Sequence, residues 1–246
     1  MLPARREIAA RIVFMARKRD PDDEVDRFLA AVAASLDLWR RTQHALESSD
    51  LGLRKVASLD AFVRIAVEWE GFRSRWHIAA INRDSSAYRA QLEARFRASI
   101  KERGFRELEP YVHVALPAQL GVATVQRLLD PLGRNISFGD NWTDRARAEL
   151  ANPYSAKVQS LSSADLRVAF ASEKLRNAIV HRSASSVAEM NTALVALDPT
   201  ADADLVRTSR VTGAGIAAYL HARPSSERRV EVWHRRLGQL ASRLRI

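Results

Sequence analysis

The stretch SLDAFVRIAVEWEGFRSRWHIAA, residues 58–80, decides the fold class. Phe62, Ile65, Ala66, Trp69, Phe72, Trp76 and Ala80 recur at three- and four-residue intervals, the period of one face of an α-helix. The opposite face carries Arg64, Glu68, Arg75 and, just beyond, Asn82. Four large aromatics at this spacing belong to a buried core rather than to a ligand platform. Ser58 is placed to cap the helix, with residues 47–57 as the connection before it.

The same period extends in both directions. Asp20-Pro21-Asp22-Asp23-Glu24 is a helix start, because Asp20 can cap, Pro21 suits the first turn and the acids oppose the helix dipole. Val25, Phe28, Leu29, Val32, Leu36 and Trp39 then follow as a stripe. A shorter basic helix is expected before it, over about 4–19. Residues 84–103 read as a helix with the ladder Tyr88, Leu92, Phe96 and Ile100, stopped by Gly104. Residues 104–116 read as irregular or briefly extended. Further helices are expected over about 117–129, 143–150, 164–182, 186–197, 203–222 and 225–245. The last of these has Val230, Trp233, Leu237, Leu240 and Leu244 on one face.

Composition agrees. Only 9 glycines and 8 prolines punctuate 246 residues, too few for the turns of a sandwich or barrel, so an all-α fold is expected. Hydrophobic residues make up 47%, enough for a sizeable core. There are no cysteines, which excludes disulfides, thiolate nucleophiles and cysteine zinc sites. No segment approaches the ~18 apolar residues of a membrane span, so a cytoplasmic location without membrane contact is the default expectation. The formal charge is +10, which favours polyanions such as RNA. Only five of the 39 basic residues are lysines, and such a bias reflects coding composition as much as ligand.

The chemistry-bearing segment is Leu175-Arg176-Asn177-Ala178-Ile179-Val180-His181-Arg182. On a helix, Val168, Ala171, Leu175 and Ile179 form an ordinary core stripe, while Leu166, Phe170, Asn177 and His181 share the opposite face. A helix apolar on two sides sits between two layers, the second being another helix of the chain or a second protomer. Asn177 and His181 are one turn apart, and the long stem of Arg176 lets its guanidinium swing toward the imidazole. An imidazole near neutral pKa can move the 2′-hydroxyl proton of RNA or protonate the leaving 5′-oxygen. A guanidinium can grip the scissile phosphate, and an amide can orient either group. No metal or cofactor is needed when the substrate carries its own nucleophile. Arginine and histidine at this spacing arise by chance roughly once in so arginine-rich a chain, and Arg229 to His234 is such a case. The asparagine following Arg176 separates the two, since Val230 stands at that place in the second.

This segment resembles the Arg-Asn…His signature of the HEPN superfamily. Val67 to Phe72 and Ile81 to Asp84 resemble the first core helix of the bacterial RiboL-PSP-HEPN-like proteins, and Gly133 to Asn141 resembles the loop before their motif helix. The resemblance covers about residues 58–245. It implies a HEPN-type helical bundle with additional N-terminal helices, divided into an extension over 1–57 and a HEPN-like domain over 58–246. It also implies a homodimer whose paired motif helices form one composite site, with Arg176, Asn177 and His181 as the catalytic set. Glu70, Arg182 and Asn141 are the accessory candidates. Toxins and antiviral-defence effectors are frequent in the superfamily, so an antitoxin or defence-system partner is an expectation of the same origin.

The expected activity is therefore metal-independent endoribonuclease, leaving 2′,3′-cyclic phosphate ends. A non-catalytic module that binds RNA, a nucleotide or a partner protein is the alternative, and a helical DNA-binding protein ranks third. His44, His77, His113, His221 and His234 show no metal-ligand spacing and are read as structural. Gly213-Ala214-Gly215 lacks a preceding strand and reads as a close approach of two helices rather than a dinucleotide loop.

Overall fold

The structure, a computed structural model, describes residues 18–48, 50–111, 117, 119–130, 136, 138 and 141–246. The basic helix expected over 4–19 lies almost wholly outside the described residues, as do His113 and most of the loop from Gly133 to Asn141. Every regular element among the described residues is helical. The elements are α1 (Pro21–Ala45), α2 (Leu51–Arg83), α3 (Ser86–Glu102), a 3-10 segment (Arg106–Tyr111), α4 (Val122–Leu129) and α5 (Trp142–Glu149). They continue with α6 (Tyr154–Gln159), α7 (Ser163–His181), α8 (Ala184–Val195), α9 (Ile216–His221) and α10 (Arg229–Arg243). None is long and apolar enough to cross a membrane.

The long α2 is the axis of the bundle. It packs against α1 along its length and also touches α4, α7, α9 and α10. Its aromatic stripe is fully buried, and Phe28 from α1 stacks on Phe72 at 4.9 Å between ring centroids. Phe62 meets Trp233 of α10 edge-on at 5.4 Å. These rings belong to one hydrophobic core that spans Val25 to Leu244.

Two expectations about α2 are corrected. The helix starts at Leu51, capped by Asp50, whose carboxylate accepts from the Gly52 amide at 2.8 Å. Ser58 thus lies inside the helix, fully buried, accepting from Trp39 Nε1 at 3.1 Å and contacting His221 Nδ1 at 3.0 Å. Helix α2 runs without a break through residues 57 and 58, and Val25, Phe28 and Trp39 of α1 join the same core as the later helices. Asn82 is buried rather than solvent-facing, because α4 and its leading loop cover this end of α2. Its side chain accepts from the Arg19 amide at 2.8 Å and donates to the Leu120 carbonyl at 2.6 Å.

Other boundaries shift for local reasons. The helix expected over 203–222 shortens to α9, Ile216–His221. Asn191 of α8 takes both backbone groups of Val211, donating to its carbonyl at 2.8 Å and accepting from its amide at 2.9 Å, which removes them from any helical ladder. The Gly213 to Gly215 run is a turn, not a helix crossing. A Cβ on Gly215 would sit 3.0 Å from Thr212 Oγ1. In α3 only Tyr88 of the expected ladder is buried, and Phe96 is exposed.

Candidate functional site

The motif helix α7 is anchored at both ends. Ser162 caps it through a reciprocal box: its hydroxyl accepts from the Asp165 amide at 3.1 Å, and the Asp165 carboxylate accepts from the Ser162 amide at 3.1 Å. Asp165 is buried and pairs with Arg243 and Arg236 of α10. At the other end Arg182 adopts the left-handed conformation, φ 51°, and its amide closes on the Ala178 carbonyl at 3.1 Å. Ser183 then caps α8 at once. This tight corner leaves His181 and Arg182 exposed at the α7–α8 junction.

Across the α2–α7 interface run two crossed ion pairs. Glu70 of α2 accepts from Arg176 of α7, and Arg73 of α2 donates to Glu173 of α7 at 3.2 Å. Each helix supplies a Glu-x-x-Arg unit, one turn of helix, and the antiparallel crossing matches acid to base on both rungs. The Arg176 guanidinium also donates to Asn177 Oδ1 at 2.8 Å. Arg73 is nearly fully buried, its guanidinium within 5.7–5.9 Å of the Trp69, Phe138 and Trp142 ring centroids. Burial pushes this guanidinium below its ordinary value, and the charges of Glu173 and Glu70 oppose that shift.

Glu70, Arg176 and Asn177 are therefore brought together. His181 is one turn beyond Asn177 on the same helix but forms no hydrogen bond with either motif partner. The Arg176 fork points to Glu70 instead of swinging toward the imidazole, because an acid on the packed neighbouring helix outcompetes a ring that faces solvent. Glu70 Oε1 and Arg176 Nε are buried and have no hydrogen-bond partner among the described residues. Among the described residues Arg182 makes only its backbone capping contact. Asn141 leads into α5 without a side-chain capping bond and is exposed, while its neighbour Trp142 packs under Arg73.

Sequence reasoning missed Arg73 and Glu173. The repeated Glu-x-x-Arg spacing, at Glu70 to Arg73 and again at Glu173 to Arg176, is the signal that would have found them.

Of the remaining histidines, His44 is exposed beside Glu47. His77 is buried against Glu149 at 2.9 Å, and burial pushes its ring below the ordinary value despite that carboxylate. His221 and His234 are buried, and burial pushes each down to about 4. His234 Nδ1 donates to the Val230 carbonyl at 2.7 Å, so Nε2 accepts from Ser35 at 3.0 Å. Among the described residues no three His, Asp or Glu side chains are grouped to hold a metal ion.

No family model, curated protein or solved structure matches this chain.

Proposed function

We propose that the chain is a metal-independent endoribonuclease of HEPN type. The observation that carries this reading is the Arg176 guanidinium, bonded to Glu70 and Asn177 at the turn of α7 that precedes the exposed His181. RNA supplies the nucleophile. Its 2′-oxygen attacks the adjacent phosphorus, the bond to the 5′-oxygen breaks, and the products are a 2′,3′-cyclic phosphate and a 5′-hydroxyl. One proton leaves the 2′-oxygen and one reaches the 5′-oxygen, and an imidazole can serve at either place. Arg176 would stabilise the pentavalent phosphorane, releasing part of its hold on Glu70 as the phosphate arrives.

The face of α7 that carries His181 supports a composite site. Leu166 and Phe170 are only half-buried and Val180 is 56% exposed, so a second copy could cover this face and bring a second His181. The two imidazoles would then divide the acid and base roles. A role in toxicity or antiviral defence, with an antitoxin or defence-system partner, belongs to the same reading.

The second reading is a non-catalytic module that binds RNA, nucleotide or protein. The occupied Arg176 fork favours it, since a guanidinium already paired offers less to a phosphate.

The test is cleavage of total bacterial RNA in excess EDTA by wild type and His181→Ala, with size and melting temperature measured for both. Loss of cleavage in the variant alone, with cyclic phosphate ends in the wild type, is the expected result. Equal cleavage by both, or products ending in 3′-hydroxyl, would sink the proposal. RNA bound without turnover by both proteins supports the second reading.

A further inference from the structure

Buried arginines in this protein normally face a carboxylate. Arg73 faces Glu173, and Arg236 is held by Asp202 at 2.6 Å. Arg229, 9% exposed, is the exception: no described carboxylate lies within ion-pair distance. Its Nε donates to the Asp204 carbonyl at 2.8 Å, one Nη donates to the Tyr219 carbonyl at 3.4 Å, and its Cζ lies 4.6 Å from the Tyr219 ring centroid. The side chain of Asp204 is turned away to accept from Ser225 at 2.8 Å. A buried cation left without a counter-charge is costly, and retaining one points to a charge that arrives from outside.

The space beside it has the chemistry to receive one. Arg229 lines a pocket of about 200 Å³ with Arg207, Arg210, Thr208, Ser209 and Thr212, and the lining contains no aspartate or glutamate. Arg207 spends its Nε on the Asn191 carbonyl at 3.1 Å and has no carboxylate among the described residues. Arg210 is exposed and makes no described polar contact. Three arginines and four hydroxyl-bearing residues thus line one pocket, and apart from the Tyr219 hydroxyl, which donates to the Leu205 carbonyl, they form a donor set that matches the oxygens of a phosphate.

The walls are set in advance. Asn191 clamps Val211 from both sides, Tyr219 donates to the Leu205 carbonyl at 2.5 Å, and the Gly215 amide closes on the Thr212 carbonyl at 2.9 Å. A ligand entering such a loop loses little affinity to ordering it.

We propose that the loop 207–215 and Arg229 form a phosphate-binding pocket for a small phosphoester such as a nucleotide, distinct from the Arg176 and His181 site. The volume exceeds what a lone phosphate needs and leaves room for part of an esterified sugar.

The experiment is calorimetric titration of the full chain in a chloride buffer, with inorganic phosphate and with adenosine monophosphate as separate probes. Wild type and His181→Ala should both bind one equivalent. Arg210→Glu, which replaces an exposed side chain without a polar partner among the described residues, should fold normally and bind at least about tenfold more weakly. Tighter binding of the nucleotide than of phosphate identifies the ester, and equal binding identifies the phosphate group alone. Three results overturn the proposal: no saturable binding of either probe below about 10 mM, wild-type affinity in the folded Arg210→Glu variant, or loss of binding in His181→Ala.

Discussion

Glu70 on α2 and Arg176 on α7, 106 positions apart, form a partly buried ion pair that fixes the guanidinium of the motif helix against the core. With Glu70 removed, Arg176 keeps only Asn177 as a side-chain partner among the described residues, and the neighbouring Arg73 loses one of the two acids that offset its burial. If the chain is the ribonuclease proposed above, Glu70→Gln is expected to reduce RNA cleavage by roughly 10- to 100-fold, as for lost orienting contacts at other sites. Stability should fall by about 1–3 kcal/mol from the weakened charged hydrogen bond. Cleavage rates in chelator alongside urea melts separate the two effects. An unchanged rate in a destabilised variant would make the pair structural only.

Asp165 ties the start of the motif helix to α10. Removing it breaks the capping box and leaves Arg236 and Arg243 each short of an acid. Asp165→Ala should cost about 3 kcal/mol, the scale for breaking a buried ion pair. Ser162→Ala removes the cap alone and should cost about 1 kcal/mol. Denaturant unfolding of the two variants checks the order, and equal costs would contradict the role given to α10.

Trp69 and Phe72 sit at the centre of the bundle, with Trp69 also forming one wall around Arg73. Replacing either by alanine should cost about 3–5 kcal/mol. Trp69→Ala should in addition perturb the crossed ion pairs, since Arg73 loses a ring it lies against. Chemical unfolding measures the first effect, and comparison with the Arg73→Met variant in a double-mutant cycle measures the coupling.

His234 makes stability depend on pH. Its buried ring titrates at about 4 when folded, whereas the unfolded ring takes up a proton near pH 6.5. The folded state therefore keeps its full stability above about pH 6.5 and loses it as the pH falls toward 4, by about 3 kcal/mol from this residue. His221, pushed down to a similar value, acts in the same direction. Unfolding free energies across this window should slope less in His234→Gln than in wild type, by about one proton. Parallel slopes would show that His234 does not titrate in this range.

The helical character of this protein is written locally, in the apolar period of segments such as Phe62 to Ala80, in caps such as Asp20 and Ser162, and in stops such as Gly104. The placement of Arg176, Asn177 and His181 on one helix near its end was legible for the same reason, because spacing along a helix sets which side chains adjoin. Tertiary structure decided the rest. It buried Asn82 and Ser58, held residues 207–215 out of a helix through Asn191, and turned Arg176 toward Glu70 rather than toward His181. Each of these outcomes depends on which helices become neighbours. Helical period specifies that a face must be covered, but the covering helix, and therefore the partner of each charge, is chosen only when the bundle closes.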